Sequence, residues 1–232
     1  GNLEIYGFIS NIEQNRDYFE RTLQNFEKKM KEYPNEVSWQ IAYAGELIAN
    51  AMLKESNIDL VNALKIMQKV LTQRKDIPEA YFLLAQLYYL LDNNNEAMKT
   101  YRKALELDKS FVDAYKYLAL VELERKDLKA AHQLLSKAVK YAPNDAEAWE
   151  ELSSIEQREG NLFDAIASLD HSIKYRPNDA GLYITSAKLS MEANNPEDAK
   201  HALEVALKLD PKNTHALKLM LITLYDDNLQ RD

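Results

Sequence analysis

The sequence has no cysteine, only five glycines and six prolines, and no run of apolar residues long enough to cross a bilayer. The first absence removes disulfides and thiolate metal sites. It leaves the compartment open, because a chain without cysteine suits either redox setting. Few glycines and prolines leave room for long helices and little for a fold made of many tight turns. A membrane helix needs roughly 20 apolar residues, so nothing in this sequence spans a membrane in that way. Basic residues are the minority: 29 Lys and Arg against 37 Asp and Glu give a formal net charge of −8. General affinity for phosphate backbones needs a basic face, so no nucleic-acid partner is expected. The chain opens on Gly1 rather than Met, an opening compatible with a leader or anchor ahead of Asn2.

What is present is a repeat. Tyr81, Tyr115, Trp149 and Tyr183 stand 34 residues apart, and Leu217 falls on the next beat. Four residues after each aromatic comes a small residue: Ala85, Ala119, Ser153 and Ala187. Ala97, Ala131, Ala165 and Ala199 follow later in each period, and then Ala104, Ala138, Ser172 and Ala206. Self-similarity at a fixed period marks stacked supersecondary units, none of which can bury its apolar face alone.

Each period holds two stretches of helical hydrophobic spacing separated by a polar break. The breaks are Asp92-Asn93-Asn94-Asn95, Lys126-Asp127, Gly160-Asn161 and Asn194-Asn195-Pro196. Such residues accept left-handed backbone or cap the next helix, and breaks this short make successive helices antiparallel. Asn195 followed by Pro196 is the clearest start signal, a cap with proline at the first helical position. Before the regular array, the spacing predicts a helix from Asn11 to Tyr33 that Pro34 ends. A longer helix is predicted from Val37 to Lys54, and a third from Ser56 to Gln73, with Ser56 and Asp59 forming a capping box. Ala42, Gly45 and Ala49 along the second helix are expected to admit a close neighbour. Trp39 to Ala63 is eight residues longer than Tyr81 to Ala97, an excess expected to lengthen the leading helix by about two turns.

The apolar residues Leu3, Ile5, Tyr6, Phe8 and Ile9 are expected to pack as a flap on the first helices or to dock in a groove. At the other end, 214–225 carries apolar residues on nearly every side. That segment is expected either to be covered or to precede a partner helix beyond Asp232; a self-assembling element that forms a homodimer or stack through 214–225 or the N-terminal helices is the alternative to a scaffold role.

The pattern resembles the tetratricopeptide repeat (TPR) family. The matches are Tyr81-Leu84-Ala85, Tyr115-Leu118-Ala119 and Trp149-Leu152-Ser153, with second halves Ala97-Tyr101-Ala104, Ala131-Leu135-Ala138-Pro143 and Ala165-Leu169-Ser172-Pro177. A fourth unit keeps Tyr183, Ala187, Ala199, Leu203, Ala206 and Pro211, with Ser186 where Leu is usual. Lys109 stands in place of a turn proline, and Glu122 and Glu156 stand where the family often has tyrosine. The resemblance implies an all-α fold, an α-α superhelix: a right-handed solenoid of antiparallel helix pairs with about 12 helices. One elongated domain would divide into 1–36, a degenerate unit at 37–76, repeats at 78–111, 112–145, 146–179 and 180–213, and a terminal helix in 214–232.

The resemblance also implies a non-catalytic scaffold or adaptor that holds another protein or peptide in a concave groove. Positions one, five, eight and nine after each aromatic would face that groove. They include Phe82, Gln86 and Tyr89; Lys116, Leu120 and Leu123; Glu150, Ser154, Gln157 and Arg158; and Ile184, Lys188 and Met191. A peptide crossing Phe82, Tyr89, Leu120 and Leu123, with Lys116 and Arg158 on its polar groups, is one reading. Packing of the same residues against adjacent helices is the other. The clamp that some family members use for acidic chaperone tails is not implied, since its asparagine position holds Gln86, Leu120, Ser154 and Lys188. Glu79, Asp113 and Glu147 near helix starts would repel such a tail, and they also suit the positive helix end.

His132, His171, His201 and His215 show no metal-ligand spacing and are expected on the surface. The sequence has no phosphate-binding glycine loop and no nucleophile elbow. No enzyme activity, cofactor or metal is expected.

Overall fold

A computed structural model of the chain describes residues 16–54 and 56–229. The apolar cluster at 3–9 lies outside them. Every regular element among the described residues is an α-helix. In chain order these are α1 (Arg16–Glu32), α2 (Val37–Lys54), α3 (Asn57–Gln73), α4 (Pro78–Leu90), α5 (Asn94–Leu107), α6 (Val112–Glu124), α7 (Leu128–Tyr141), α8 (Ala146–Arg158), α9 (Leu162–Tyr175), α10 (Ala180–Glu192), α11 (Pro196–Leu209) and α12 (Thr214–Leu229). The all-α class and the helix-pair architecture of an α-α solenoid are therefore present as expected.

The helices fall into two compact units, residues 1–121 and 122–232. In the first, α1 packs on α2, α2 on α3, α3 on α4 and α4 on α5. Its core holds Leu47, Ile48, Leu60, Met67, Val70, Leu84 and Leu87. In the second, each helix from α7 to α12 packs on the next. Leu169, Leu182 and Leu189 form one part of its interior, and Ile184, Leu203, Ala206 and Ala216 another.

The period sets helix length. The leading helices α4, α6, α8 and α10 have 13 residues each, and the trailing helices α5, α7, α9 and α11 have 14. Each leading helix stops at a left-handed residue: Asp92 (φ 59°), Lys126 (φ 63°), Gly160 (φ 82°) and Asn194 (φ 56°). The amide that follows each one then reaches back five residues, as from Asn161 to the Glu156 carbonyl at 2.8 Å and Asn195 to Ser190 at 2.8 Å. This Schellman closure satisfies the last carbonyls of one helix and turns the chain into the next. Asn93, Asp127 and Asn195 then cap the trailing helices by accepting from Glu96, Ala130 and Asp198 amides. On the other side of the hairpin, Trp149 Nε1 donates to the Pro143 carbonyl at 2.9 Å, and the Tyr183 hydroxyl donates to Pro177 at 3.1 Å.

The small residues of the period do what their size permits. All twelve, from Ala85 to Ala206, are no more than 2% exposed. The Ser153 hydroxyl donates to the Ala165 carbonyl across the α8–α9 crossing at 2.6 Å, a distance available only where a side chain meets the neighbouring backbone.

Three local expectations need correction. Ser56 precedes α3 as its N-cap but makes no side-chain cap bond. Asp59, the other half of the expected box, instead accepts from Asn50 Nδ2 at 2.8 Å, because Asn50 is buried on α2 and its amide needs a partner. The eight extra residues of the first unit are shared: α2 has 18 residues and α3 has 17, so both helices lengthen. Gly45 admits no close neighbour, since a Cβ built there meets nothing within 4 Å. A mid-helix glycine without a packing reason carries only its entropic cost. Gly45→Ala is expected to raise stability by about 0.5–1 kcal/mol, read as a higher urea midpoint at unchanged slope.

Candidate protein-interaction surface

The expected groove positions divide between the two units, and their environments differ. In the first unit, Phe82 on α4 is half-buried among rings. Its centroid lies 5.0 Å from Phe111, 5.4 Å from Tyr117 and 5.8 Å from Tyr101. Tyr101 and Tyr117 stack at 6.1 Å. Phe82 therefore serves packing between α4, α5 and α6, as the alternative reading of the sequence allowed. Lys116 is also buried, with its ammonium 3.2 Å from Asp113 Oδ1. A cation already neutralised and 10% exposed on its side chain is poorly placed to meet a partner. Gln86 and Tyr89 on α4 are half-buried. Leu120 is 38% exposed and Tyr117, which the sequence did not single out, is 36% exposed. One helical step apart, these two form a partly exposed apolar edge of α6, joined to α4 through the Tyr117–Phe82 ring contact. Leu123, further along α6, is half-buried.

In the second unit the corresponding positions are mostly polar. Glu150 accepts from the Arg176 guanidinium, so its charge is spent inside the fold. Gln157 Nε2 donates to Glu192 Oε2 at 2.5 Å, tying α8 to α10. Ser154, Arg158 and Lys188 are exposed, and neither cation has an ion pair among the described residues. Met191 is half-buried with its sulfur 3.8 Å from Thr223 Oγ1. Ile184 is 7% exposed within the core formed with Ala187, Ala199 and Leu203. A β-branched side chain packed there is interior and leaves little surface for a partner.

The sequence missed one cluster altogether. His132 on α7 was expected on the surface, yet it is half-buried between the carboxylates of Glu156 on α8 and Glu159 at the C-cap of that helix. Its Nδ1 lies 2.8 Å from Glu159 Oε2, and its Nε2 lies 3.8 Å from Glu156 Oε1. Glu156 is buried, and desolvation pushes its carboxyl above the usual range, while the neighbouring His132 pulls the other way. The available signal was Glu156 itself, a carboxylate where the repeat pattern favours an aromatic. Burying that group demands partners, yet its Oε2 has no hydrogen-bond partner among the described residues, and His132 is the group that the neighbouring helix brings to its Oε1. His171 behaves differently: it is exposed and stacks flat on Trp149 at 4.2 Å. His201 and His215 are exposed as expected. Among the described residues no group of three or more metal-ligating side chains could hold an ion, and no helix is long and apolar enough to cross a membrane.

Comparison with known proteins agrees with this geometry. Family models described as tetratricopeptide repeat match residues 78–111, 117–180 and 157–221. No curated protein sequence matches the chain. Among solved structures, YrrB, described as a TPR protein with an unusual peptide-binding site, superposes with a TM-score of 0.62 at 23% identity, covering 83% of this chain and 96% of its own. MamA superposes with a TM-score of 0.62 at 20% identity over 75% of this chain and 93% of its own. MamA from Desulfovibrio magneticus RS-1 gives 0.61 at 17% identity, over 75% and 97%. At such identities the likeness speaks for the fold. Taken with the matched repeats and the helix hairpins closed every 34 residues, it leads to one assignment: the chain belongs to the tetratricopeptide repeat family.

Proposed function

We propose that this protein is a non-catalytic interaction scaffold that receives an extended peptide or a helix of another protein on the α4–α6 face. The observation that carries this reading is the pair Tyr117 and Leu120, 36% and 38% exposed, with Tyr117 itself held in the rigid aromatic cluster. An ordered apolar edge of this kind loses little entropy when a partner covers it. Tyr89 and Gln86 on α4 supply a ring and an amide that could orient a peptide backbone. Phe82 and Lys116 are framework in this reading, since both are committed to neighbours. The exposed Arg158 and Lys188 give the second unit a separate polar patch suited to acidic groups of a partner. Peptide binding by YrrB is a property of that protein, and it supports this use of the fold without identifying the ligand.

The test uses a displayed library of random peptides as the probe. Binders selected on the intact protein are expected to lose at least about tenfold in affinity on Leu120→Glu, a change of roughly 1.4 kcal/mol or more. Because Leu120 is partly in water, the helix content of that variant should match the parent. Selected peptides that bind L120E with parental affinity would remove the α4–α6 face from the proposal.

A further inference from the structure

Charge is spread unevenly among the trailing helices. The chain carries a formal net charge of −8, and α5, α9 and α11 each hold two or more carboxylates. Helix α7 holds none and bears Lys129, Lys137 and Lys140. On one of its faces Lys129, His132, Gln133, Ser136 and Lys137 line a shallow cavity of about 400 Å³. These residues recur at the three- and four-residue steps that keep one side of a helix. His132 is engaged there by Glu159. The side chains of Lys129, Gln133, Ser136 and Lys137 have no hydrogen bond or ion pair among the described residues. Both lysines are exposed, so a concave basic surface stands open on an acidic protein.

An aromatic side chain stands beside it. Phe163, in the first turn of α9, is 87% exposed. Its place in the period is that of Lys129 on α7, and the other trailing helices put Asn95 and Glu197 there. The start of α9 is held close to α7, because Asn161 Nδ2 lies 3.4 Å from the same Glu159 oxygen that meets His132. A lone exposed ring is ordinary on a protein surface. One that borders an unpaired basic cavity adds an apolar contact to it.

The spacing says what fits. Lys129 and Lys137 are eight residues apart, about 12 Å along a helix axis. In an extended chain, side chains at i and i+4 share a face and stand about 13 Å apart. Gln133 and Ser136, between the lysines, offer an amide and a hydroxyl to the intervening backbone. Asp164, which follows Phe163, sets one exposed carboxylate against two lysines. We infer that this face of α7 docks an acidic, extended segment of a partner protein, with carboxylates four residues apart on Lys129 and Lys137 and an apolar side chain against Phe163. Exposed ion pairs contribute little each, so the contact is weak, fast-forming and sensitive to salt.

The probe is a displayed peptide library rich in Asp and Glu, selected on the full chain against a matched library with Asn and Gln in their place. Enriched peptides are expected to carry acids four residues apart and to bind more weakly as salt rises. Lys129→Glu with Lys137→Glu should cost them at least about tenfold in affinity, and Phe163→Ser about fivefold. Melting and helix content should stay at parental values, since all three side chains are exposed. Lys65→Glu with Lys212→Glu changes the net charge equally at other exposed positions and should leave affinity within about twofold. No enrichment over the amide library, or equal losses in the two double variants, would overturn the proposal. Binders indifferent to Lys129 and Lys137 but lost on Leu120→Glu would sit on the α4–α6 face and would overturn it as well. Dependence on the lysines without dependence on Phe163 would remove the ring from the site. Losses at Leu120 and at the α7 lysines are read separately, so either surface can fail while the other stands.

Discussion

Replacing Tyr101 by Ala is expected to cost about 3–5 kcal/mol, the largest single loss anticipated in the first unit. The side chain is fully buried on α5 and holds Phe82 and Tyr117 in place at 5.8 and 6.1 Å. Removing the ring leaves a cavity between three helices that short connections prevent from closing. A drop of roughly 10 °C in melting temperature follows for a chain of this size. Tyr101→Phe separates the ring from its hydroxyl. That oxygen is buried with no hydrogen-bond partner among the described residues, and burial together with the nearby Tyr117 and Tyr89 phenols holds its ionisation far above the ordinary range. An unpaired buried hydroxyl costs about 1–3 kcal/mol, so Tyr101→Phe should be neutral or stabilising. A clear loss in the phenylalanine variant would show that the hydroxyl is satisfied.

The second large effect is expected at the α8–α9 crossing. Ala165 is 0% exposed and its carbonyl accepts from Ser153. Leucine at 165 has no room at that crossing, and overpacking should cost about 1–3 kcal/mol through displaced helices. Ala165→Ser is the matched control, because the period itself uses Ser153 and Ser172 at crossings, both 2% exposed or less. Urea unfolding should therefore separate the two variants by a lower midpoint for leucine alone. Equal midpoints would mean that the small residues of the period do not mark the crossings.

Much of the fold was legible because these constraints are local. Helix boundaries followed from Pro34, from the Asn and Asp caps, and from left-handed residues placed every 34 positions. The capping box at Ser56 misled because Asp59 found a stronger claim across space, from a buried amide on α2. Gly45 misled in the same way: a small residue permits a close neighbour without obliging one. Among the candidate surface residues, Leu120, Ser154, Arg158 and Lys188 are in water, while Phe82, Lys116 and Ile184 are enclosed. The repeat register assigns all of them to equivalent faces, and it cannot weigh the neighbours that each one meets. His132 shows the same limit from the other side, enclosed by carboxylates 24 and 27 residues away.

By itself the sequence determined the class, the period, the turns and the crossings, because helix spacing, cap chemistry and side-chain volume act within one or two turns of chain. Only the tertiary structure decided which side chains remain in water: the Tyr117–Leu120 edge, the cations of α8 and α10, and the lysine face of α7 with Phe163. Exposure is fixed by what packs alongside, and that comes from helices tens of residues away, whose approach distance no local pattern encodes.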